Sequence, residues 1–191
     1  MAKEMTEIRW HARGGQGAKT AATLVAQVAL EEGKCSQGFP EYGPERMGAP
    51  IRGFTRISGQ AIRLHCPIEQ PDVVAVLDET LIGVANITEG ATPDTVFLVN
   101  SAAEPAAVRT RLKIQGGKVW CVNATKISLD EIGRDIPNTP MIGALIRITK
   151  CISMDAMKKD VEHKFLKKFG ERVVQGNVRA IQRAYEEVKS E

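Results

Sequence analysis

The segment "RWHARGGQGAKTAATLVAQVALEEGK", residues 9–34, decides the fold. Residues 7–12 are predicted to form a strand that leads into the glycine cluster 14–17. Apolar residues at helical spacing then predict a helix over 18–32, which Gly33 ends. Many proteins bind phosphate with the order strand, glycine turn, helix, because the first N–H groups and the dipole of the helix favour an anion.

Neither of the two common phosphate-loop fingerprints fits the glycine cluster. A dinucleotide-binding turn needs G-x-G-x-x-G and a carboxylate at the end of the second strand. Gly15 and Gly17 match, but Thr20 replaces the third glycine and the second strand ends in "SQGFP". A Walker loop needs glycine where Arg13 and Ala18 stand. Two interpretations stay open: anion binding at the helix start, or a tight turn in which glycine only permits close packing.

A second motif, "FPEYGPERMGAPIRGFTR" at residues 39–56, is dense in glycine, proline and charge. Loops of this kind inside an economical domain are often functional. The polar side chains would also suit a surface loop with internal Glu–Arg pairs, which stabilise little. A third interpretation is an interface to another chain, where Tyr and Arg are favoured.

The rest of the chain alternates between predicted strands and helices. The runs 51–58 and 61–65, joined by Ser58-Gly59-Gln60, predict a hairpin. "VVAVL", "DTVFLVN" and "GKVWCVN" predict buried strands, residues 81–87 predict a helix, and the tail predicts two amphipathic helices. We therefore expect one domain over residues 1–191, a three-layer α/β/α fold with a mixed, largely parallel sheet.

Composition excludes several classes of function. A chain of 191 residues makes one ordinary domain that buries roughly 70% of its unfolded surface. The net charge of +3 and the absence of a dense Lys/Arg block argue against nucleic acid as a partner. No apolar run approaches the roughly 18 residues that span a bilayer, and no signal-peptide pattern opens the chain. We expect no membrane association and a cytoplasmic location.

The sequence contains no recognisable catalytic or metal-binding pattern. The cysteines lie far apart without a C-x-x-C pair, so free thiols are expected. Asp78-Glu79, after a buried strand, is the best carboxylate pair, and the end of such a strand suits an active site. Asp also begins helices, however, so capping is the favoured role. We predict no catalytic residue and no metal on this chain.

The two long motifs together resemble those of the gamma subunits of the 2-oxoacid:ferredoxin oxidoreductases. "PDVVAVLDETL", "NATKIS" and "IPNTPMIGALIRIT" follow in the same order as in that family, so the resemblance covers nearly the whole chain. The loop "GPERMGAP" is more similar to the pyruvate synthase and branched-chain types than to the 2-oxoglutarate or indolepyruvate types.

The resemblance implies a reaction that several chains share. In this family a 2-oxoacid is decarboxylated on thiamine diphosphate, iron–sulfur clusters pass electrons to ferredoxin, and the acyl group goes to coenzyme A (CoA). The thiamine diphosphate, with its Mg, belongs to the alpha and beta subunits, and the clusters belong to a delta subunit. The gamma part is non-catalytic, binds none of these cofactors alone, and is implicated in CoA access at a subunit interface.

The resemblance also implies site residues. The four turn residues would face the shared CoA channel, and two arginines would contact phosphate or a partner subunit: Gly14, Gly15, Gln16 and Gly17 in the turn, and Arg46 and Arg52 in the second motif. Two alternatives remain: a purely structural subunit of the same complex, and a self-sufficient nucleotide-binding enzyme. An exposed partner face would also let the isolated chain form a homodimer.

Overall fold

A seven-stranded sheet forms the centre of the chain. This computed structural model describes residues 5–41 and 48–191, except the side chains of residues 167 and 168. The strands are β1 (Met5–Arg13), β2 (Cys35–Pro40), β3 (Pro50–Ser58), β4 (Val73–Val76), β5 (Val96–Asn100), β6 (Lys118–Val122) and β7 (Lys189–Ser190). The helices are α1 (Ala18–Glu31), α2 (Pro105–Leu112), α3 (Ala124–Ile132), α4 (Asn138–Thr149), α5 (Met154–Phe169) and α6 (Glu171–Glu187).

The order of the strands is β2-β3-β1-β4-β5-β6-β7. The strands β1, β4, β5 and β6 run parallel to one another, whereas β2, β3 and β7 are joined to the sheet by antiparallel pairing. The predicted mixed sheet in a single α/β domain is therefore confirmed. Because the parallel strands point the same way, their carboxyl ends meet at one edge of the sheet, where ligands bind in open α/β sheets.

The larger helical layer packs on the face of the sheet that β1 presents through Ile8, Trp10 and Ala12, which are fully buried. The helix α1 is joined to this face by polar contacts as well. Trp10 Nε1 donates to Thr55 Oγ1 at 3.0 Å, and that hydroxyl donates to the carbonyl of Ala22 in α1 at 2.9 Å. These hydrogen bonds satisfy buried polar groups that would otherwise cost about 1–3 kcal/mol each.

The opposite face is covered by α2 and by the segment 79–95. The predicted helix over 81–87 is wrong, because only a 3₁₀ turn at Glu79–Leu81 forms and the chain bends at Gly83 with φ +88°. The buried guanidinium of Arg9 donates to the carbonyls of Ile87 and Glu89. Hydrogen bonds from Arg9, which is distant in sequence, therefore hold this irregular segment in place of the backbone hydrogen bonds of a helix.

The predicted strand over 61–65 is also wrong. Both edges of β3 are already occupied, one by β1 and the other by β2, so no edge is left for a hairpin partner. The segment is mostly exposed, and Gln37 Nε2 donates to the carbonyl of Leu64 at 3.0 Å. Of its two antiparallel neighbours, the one that directly precedes β3 in the sequence is β2, and residues 41–49, within the second sequence motif, connect these two strands.

The two predicted C-terminal helices are present as α5 and α6. The helix α6 buries Val174 and Ile181 and packs closely on α4. The two helices lie close together at Gly143, where an added Cβ atom would lie 2.1 Å from the carbonyl oxygen of Ile181. Only a residue without a side chain fits this crossing.

Gly143→Ala is expected to lower the free energy of unfolding by about 3 kcal/mol, because α4 and α6 must separate to admit the methyl group. Urea denaturation of the isolated chain measures the loss. Gly59→Ala is the control, since a Cβ atom there meets no atom of the described part of the chain within 4 Å. Similar losses in the two variants would contradict the close contact.

A buried histidine, His11, lies beside Arg9 on the same face of β1. His11 is 2% exposed, and its Nε2 accepts a hydrogen bond from Arg9 Nε at 3.1 Å. Burial, and next the charges of Arg9 and Arg52, lower the pKa of His11 to about 3. The histidine is therefore neutral in the folded chain at pH 7, whereas it titrates near pH 6.5 when the chain is unfolded.

The unfolded chain binds the additional proton between about pH 6.5 and pH 3, so His11 reduces stability as the pH falls through this range. From pH 7 to pH 5 we expect a loss of about 2 kcal/mol from this group. His11→Gln keeps an acceptor for Arg9 but does not titrate, so it should lack this part of the loss. Urea unfolding at both pH values measures the difference, and equal pH dependence in the two proteins would rule out a neutral buried His11.

Candidate functional site

The glycine turn joins β1 to α1 and lies beside the end of the second sequence motif. Gly14 N donates to the carbonyl of Ala49 at 2.9 Å, and Gly48 N donates to the carbonyl of Gly14 at 3.2 Å. These bonds extend the ladder between β1 and β3. The structure therefore brings the described ends of the two long motifs together.

Left-handed backbone at two positions shapes the turn. Gly15 has φ +101° and is exposed, and a Cβ atom there would meet no atom of the described residues within 4 Å. Gly17 has φ +85°, and its Cβ atom would lie 2.5 Å from Asn138 Nδ2. Gly15 leaves an open space at the tip, whereas Gly17 permits close packing against the start of α4. The interpretation as a tight turn that permits close packing thus applies to Gly17, whereas Gly15 leaves room for the other interpretation, anion binding.

The side chain of Gln16 stabilises the turn through two hydrogen bonds. Its Oε1 accepts a hydrogen bond from Arg13 N at 2.7 Å, and its Nε2 donates to Asp78 Oδ2 at 2.8 Å. Asp78 follows β4, so this side chain connects the carboxyl ends of β1 and β4. The predicted site residue is therefore engaged with the protein, and its position is well defined.

Asp78 caps the 3₁₀ turn, as predicted, by accepting from Thr80 N at 2.9 Å. Burial would raise the pKa of Asp78, but hydrogen bonds from Thr80 and Gln16 and the charge of Arg13 lower it below its usual value. Arg13 Nε lies 3.3 Å from Asp78 Oδ2. The positive charge of Arg13 is therefore partly neutralised beside the turn.

The helix α1 begins after Gly17 with no side-chain cap among the described residues and no acidic residue in its first turn. The first N–H groups of a helix have no intrahelical partner, and together with the dipole they favour an anion. The turn thus presents the positive end of α1 next to the open space at Gly15.

A crevice of about 300 Å³ lies between the turn and the carboxyl ends of β4, β5 and β6. Asn100 organises it, since Nδ2 donates to the carbonyl of Leu77 at 2.8 Å and Oδ1 accepts from Thr125 N at 3.1 Å. The other lining side chains are largely polar and include Gln16, Asp78, Glu79, Ser101, Asn123 and Asp135. Neither asparagine was predicted as a site residue, although each directly follows a buried strand or ends one.

Of the two arginines predicted as site residues, the structure describes only Arg52. Arg46 lies outside the described residues. Arg52 of β3 lies opposite His11 of β1 in the ladder of the two strands. His11 is two positions before Arg13, the last residue of β1. Its guanidinium is held by Glu41 and, at 3.3 Å, by Glu89, and the hydrogen bond with Glu41 is the main cause that raises its pKa. Any ligand of Arg52 must compete with these carboxylates.

The described residues contain no group of His, Cys, Asp or Glu side chains that could hold a metal ion. All four cysteines are free thiols, and burial raises the pKa of Cys121 to about 12, which makes this thiol unreactive. In the described part of the chain, no helix is long and apolar enough to cross a membrane.

The family model for pyruvate ferredoxin/flavodoxin oxidoreductase matches residues 7–187. The chain belongs to this family. It is 50% identical over 189 residues to the pyruvate synthase subunit PorC of Thermotoga maritima, covering 99% of this chain and 97% of the relative. The expected family resemblance is confirmed.

Two solved structures share the fold. The crystal structure of the pyruvate oxidoreductase subunit PORC of Thermotoga maritima aligns with a TM-score of 0.87 at 47% identity, covering 98% of this chain and 99% of that one. The 2-oxoglutarate:ferredoxin oxidoreductase of Magnetococcus marinus, with 2-oxoglutarate, coenzyme A and succinyl-CoA bound, aligns with a TM-score of 0.77 at 22% identity. This alignment covers 96% of this chain and 31% of that one. At that identity it shows the fold alone.

Gly17→Ala is expected to destabilise the chain more than Gly33→Ala. Both glycines have φ near +80°, so both substitutions incur the cost of left-handed backbone, about 1–2 kcal/mol. At Gly17 the methyl group also meets Asn138, whereas at Gly33 it meets no atom within 4 Å in the residues that the structure describes. Urea denaturation should show an additional loss of about 1 kcal/mol at Gly17.

A double-mutant cycle isolates the contact. In an Asn138→Ala background the additional loss at Gly17 should disappear, because the methyl group then has room. Equal losses at Gly17 and Gly33 in the original background would show that the turn does not pack on α4.

Proposed function

We propose that this chain is the gamma subunit of a pyruvate:ferredoxin oxidoreductase. This complex converts pyruvate, CoA and oxidised ferredoxin to acetyl-CoA, CO₂ and reduced ferredoxin. The family assignment over residues 7–187 and the 50% identity to a pyruvate synthase subunit support this role. The alpha, beta and delta subunits carry the thiamine diphosphate, its Mg and the iron–sulfur clusters, and the complex works in the cytoplasm.

In this proposal, CoA binds to this chain at the glycine turn. The observation that carries this step is the start of α1, which no side chain of the described residues caps and which lies beside both the exposed Gly15 and the polar crevice at the strand ends. The first N–H groups of α1 would hold a phosphate, with Arg13 near by. The oxidoreductase of Magnetococcus marinus, which shares the fold, has coenzyme A bound, and this agrees with a CoA role for the present chain.

The uncharged part of CoA suits the crevice. Its amide and hydroxyl groups both donate and accept hydrogen bonds, and side chains such as Asn123 and Thr125 offer both kinds of partner. The crevice, at about 300 Å³, is at the small end of ligand pockets. Partner subunits would therefore enclose the rest of CoA, and the chain would not act alone.

A purely structural role is the second candidate. It is favoured by the internal contacts of Gln16 and Arg13, which fasten the turn without a ligand. The two candidates differ in CoA kinetics, because a turn that only packs would leave the KM for CoA unchanged.

Gln16→Glu in the assembled complex is expected to raise the KM for CoA about tenfold. The new carboxylate lies between Asp78 and the start of α1, where it repels phosphate, and one charged hydrogen bond is worth about 1.5–3 kcal/mol. Pyruvate-dependent viologen reduction, measured anaerobically against CoA concentration, gives the value. The KM for pyruvate should stay the same, since its pocket is assigned to other chains.

Gln60→Glu is the matched control, because it adds the same charge after the far end of β3, away from the turn. Arg46→Ala and Arg52→Ala belong in the same assay and should raise the KM for CoA or weaken assembly. An unchanged KM for CoA in the Gln16 variant would refute the CoA role and leave the structural one.

A further inference from the structure

The strand β2 lies at one edge of the sheet and, among the described residues, pairs only with β3. In an antiparallel pair, alternate residues turn their backbone N–H and C=O groups toward the partner strand. The ladder of β2 and β3 extends to Glu41, whose N–H donates to the carbonyl of Arg52 at 3.0 Å. The odd-numbered residues of β2 therefore face β3, whereas Ser36, Gly38 and Pro40 turn their backbone groups away from it.

These outward backbone groups have no hydrogen-bond partner in the ranges 5–41 and 48–191. An unpaired edge is a template for another strand, and proteins often protect it with charged side chains. The strand "CSQGFP" contains no charged residue. Pro40 has no N–H group, so the outward donors are those of Ser36 and Gly38. The edge therefore suits a short added strand.

Exposed leucines flank this edge on both faces of the sheet. On the face that α1 covers, Ser36 Oγ donates to the carbonyl of Ala26 at 2.5 Å, and Leu30, one turn further along α1, is 62% exposed. On the opposite face, Gln37 Nε2 donates to the carbonyl of Leu64 at 3.0 Å, and Leu64 is 44% exposed. A protein that adds a strand to β2 would also cover both leucines.

A second copy of β2 pairs all of these backbone groups. If two copies lie antiparallel with their Gln37 residues opposite each other, Ser36 of each copy faces Gly38 of the other. Every outward N–H of these two residues then meets an outward carbonyl. In the register with Gly38 opposite Gly38, the carbonyl of Ser36 would face Pro40, which has no N–H to donate. The edge is therefore self-complementary in one register, as a twofold dimer requires.

The position of α1 favours a second copy over an unrelated strand. An added Cβ atom on Gly38 of β2 would lie 2.6 Å from the carbonyl oxygen of Ala22, and one on Gly53 of β3 would lie 3.3 Å from that of Ala18. The helix α1 therefore lies over both strands. Because neighbouring strands are about 4.8 Å apart, the two α1 helices across a contact between β2 strands would be about 10 Å apart, which is a packing distance for helices.

The side chains of α1 at this contact permit a close approach. Ala26, which Ser36 contacts, lies near the twofold axis at Gln37, and its side chain is small. Leu30 of one copy then lies opposite Thr23 of the other, since these residues are one turn to either side of Ala26. The two helices run antiparallel, so the positive end of each dipole lies beside the negative end of the other.

We propose that two copies of this chain pair through their β2 edges, so that the two sheets become continuous across a twofold axis at Gln37. Leu30 and Leu64 of each copy are covered at this interface. The inference goes beyond the proposed function and does not depend on CoA binding. In the assembled oxidoreductase, the same contact would join two complexes through their gamma chains.

Sedimentation equilibrium of the full-length chain measures the dissociation constant of the dimer. Gln37→Glu keeps an acceptor for Arg56, which donates to Gln37 Oε1 at 3.4 Å, but places two carboxylates opposite each other at the axis. We expect this variant to raise the dissociation constant at least about tenfold, because like charges repel across the interface. Leu30→Glu should also raise it. Circular dichroism checks that both variants are folded.

Leu129→Glu is the matched control for Leu30→Glu. Leu129 is 49% exposed and lies on α3, which follows β6 near the other edge of the sheet. The same charge there should leave the dissociation constant unchanged.

Disulfide cross-linking tests the register. Opposite residues in a non-hydrogen-bonded antiparallel pair have Cα atoms about 4.5 Å apart, which a disulfide can bridge. In a Cys35→Ser/Cys66→Ser background, Gln37→Cys should give a covalent dimer on mild oxidation. Gln60→Cys should not, because the two copies of Gln60, after the end of β3, lie at opposite ends of the contact.

A chain that stays monomeric at its highest soluble concentration would overturn the proposal. So would a dimer that Gln37→Glu and Leu30→Glu weaken no more than Leu129→Glu does, or one that cross-links at position 60 and not at 37. The proposed function fails separately. A monomeric chain that still co-purifies with the other subunits keeps the subunit assignment, whereas a dimeric chain that recovers no subunits contradicts that assignment alone.

Discussion

The parallel pairing of β1 with β4 is the contact on which the site depends. It places the glycine turn and Asp78 at the same edge of the sheet, where Gln16 connects them with hydrogen bonds at 2.7 and 2.8 Å. Without this pairing the positive end of α1 would have no defined position relative to the crevice. Since β1 also pairs with β3, the same strand fixes the last residues of the second sequence motif.

The turn combines rigidity with an open tip. Gly17 packs on Asn138, and Gln16 is held on both sides, so the backbone is constrained from within. At Gly15, by contrast, no atom of the described residues lies within 4 Å of an added Cβ atom. Such a preorganised site loses little entropy when it binds a ligand. This division suits the proposed role, in which the turn presents a surface to CoA.

The sequence predicted the parts of the fold that depend on local pattern. The helical spacing gave α1 and the two C-terminal helices, and the buried runs gave β4, β5 and β6. The failures at 61–65 and 81–87 share a cause, because in both a distant residue decides the structure. The edges of β3 are taken by β1 and β2, and the carbonyls of Ile87 and Glu89 are taken by Arg9.

The candidate site was predictable to a similar degree. The glycine turn has a local signature, and Asp78 was expected to cap a turn. The pairing of Arg52 with Glu41 and Glu89, and the contribution of Asn100 and Thr125 to the crevice, depend on the register between strands. Register is set by the hydrophobic patterns of both paired strands and by the geometry of the turn between them, so one segment alone does not show which residues it will face.

Hydrogen–deuterium exchange of the assembled complex, with and without CoA, tests the central claim most directly. We expect CoA to slow exchange at the backbone amides of residues 14–20, and the isolated chain to show little or no such effect. Slower exchange confined to other chains or to other segments of this one, with residues 14–20 unchanged, would contradict a CoA site at the glycine turn.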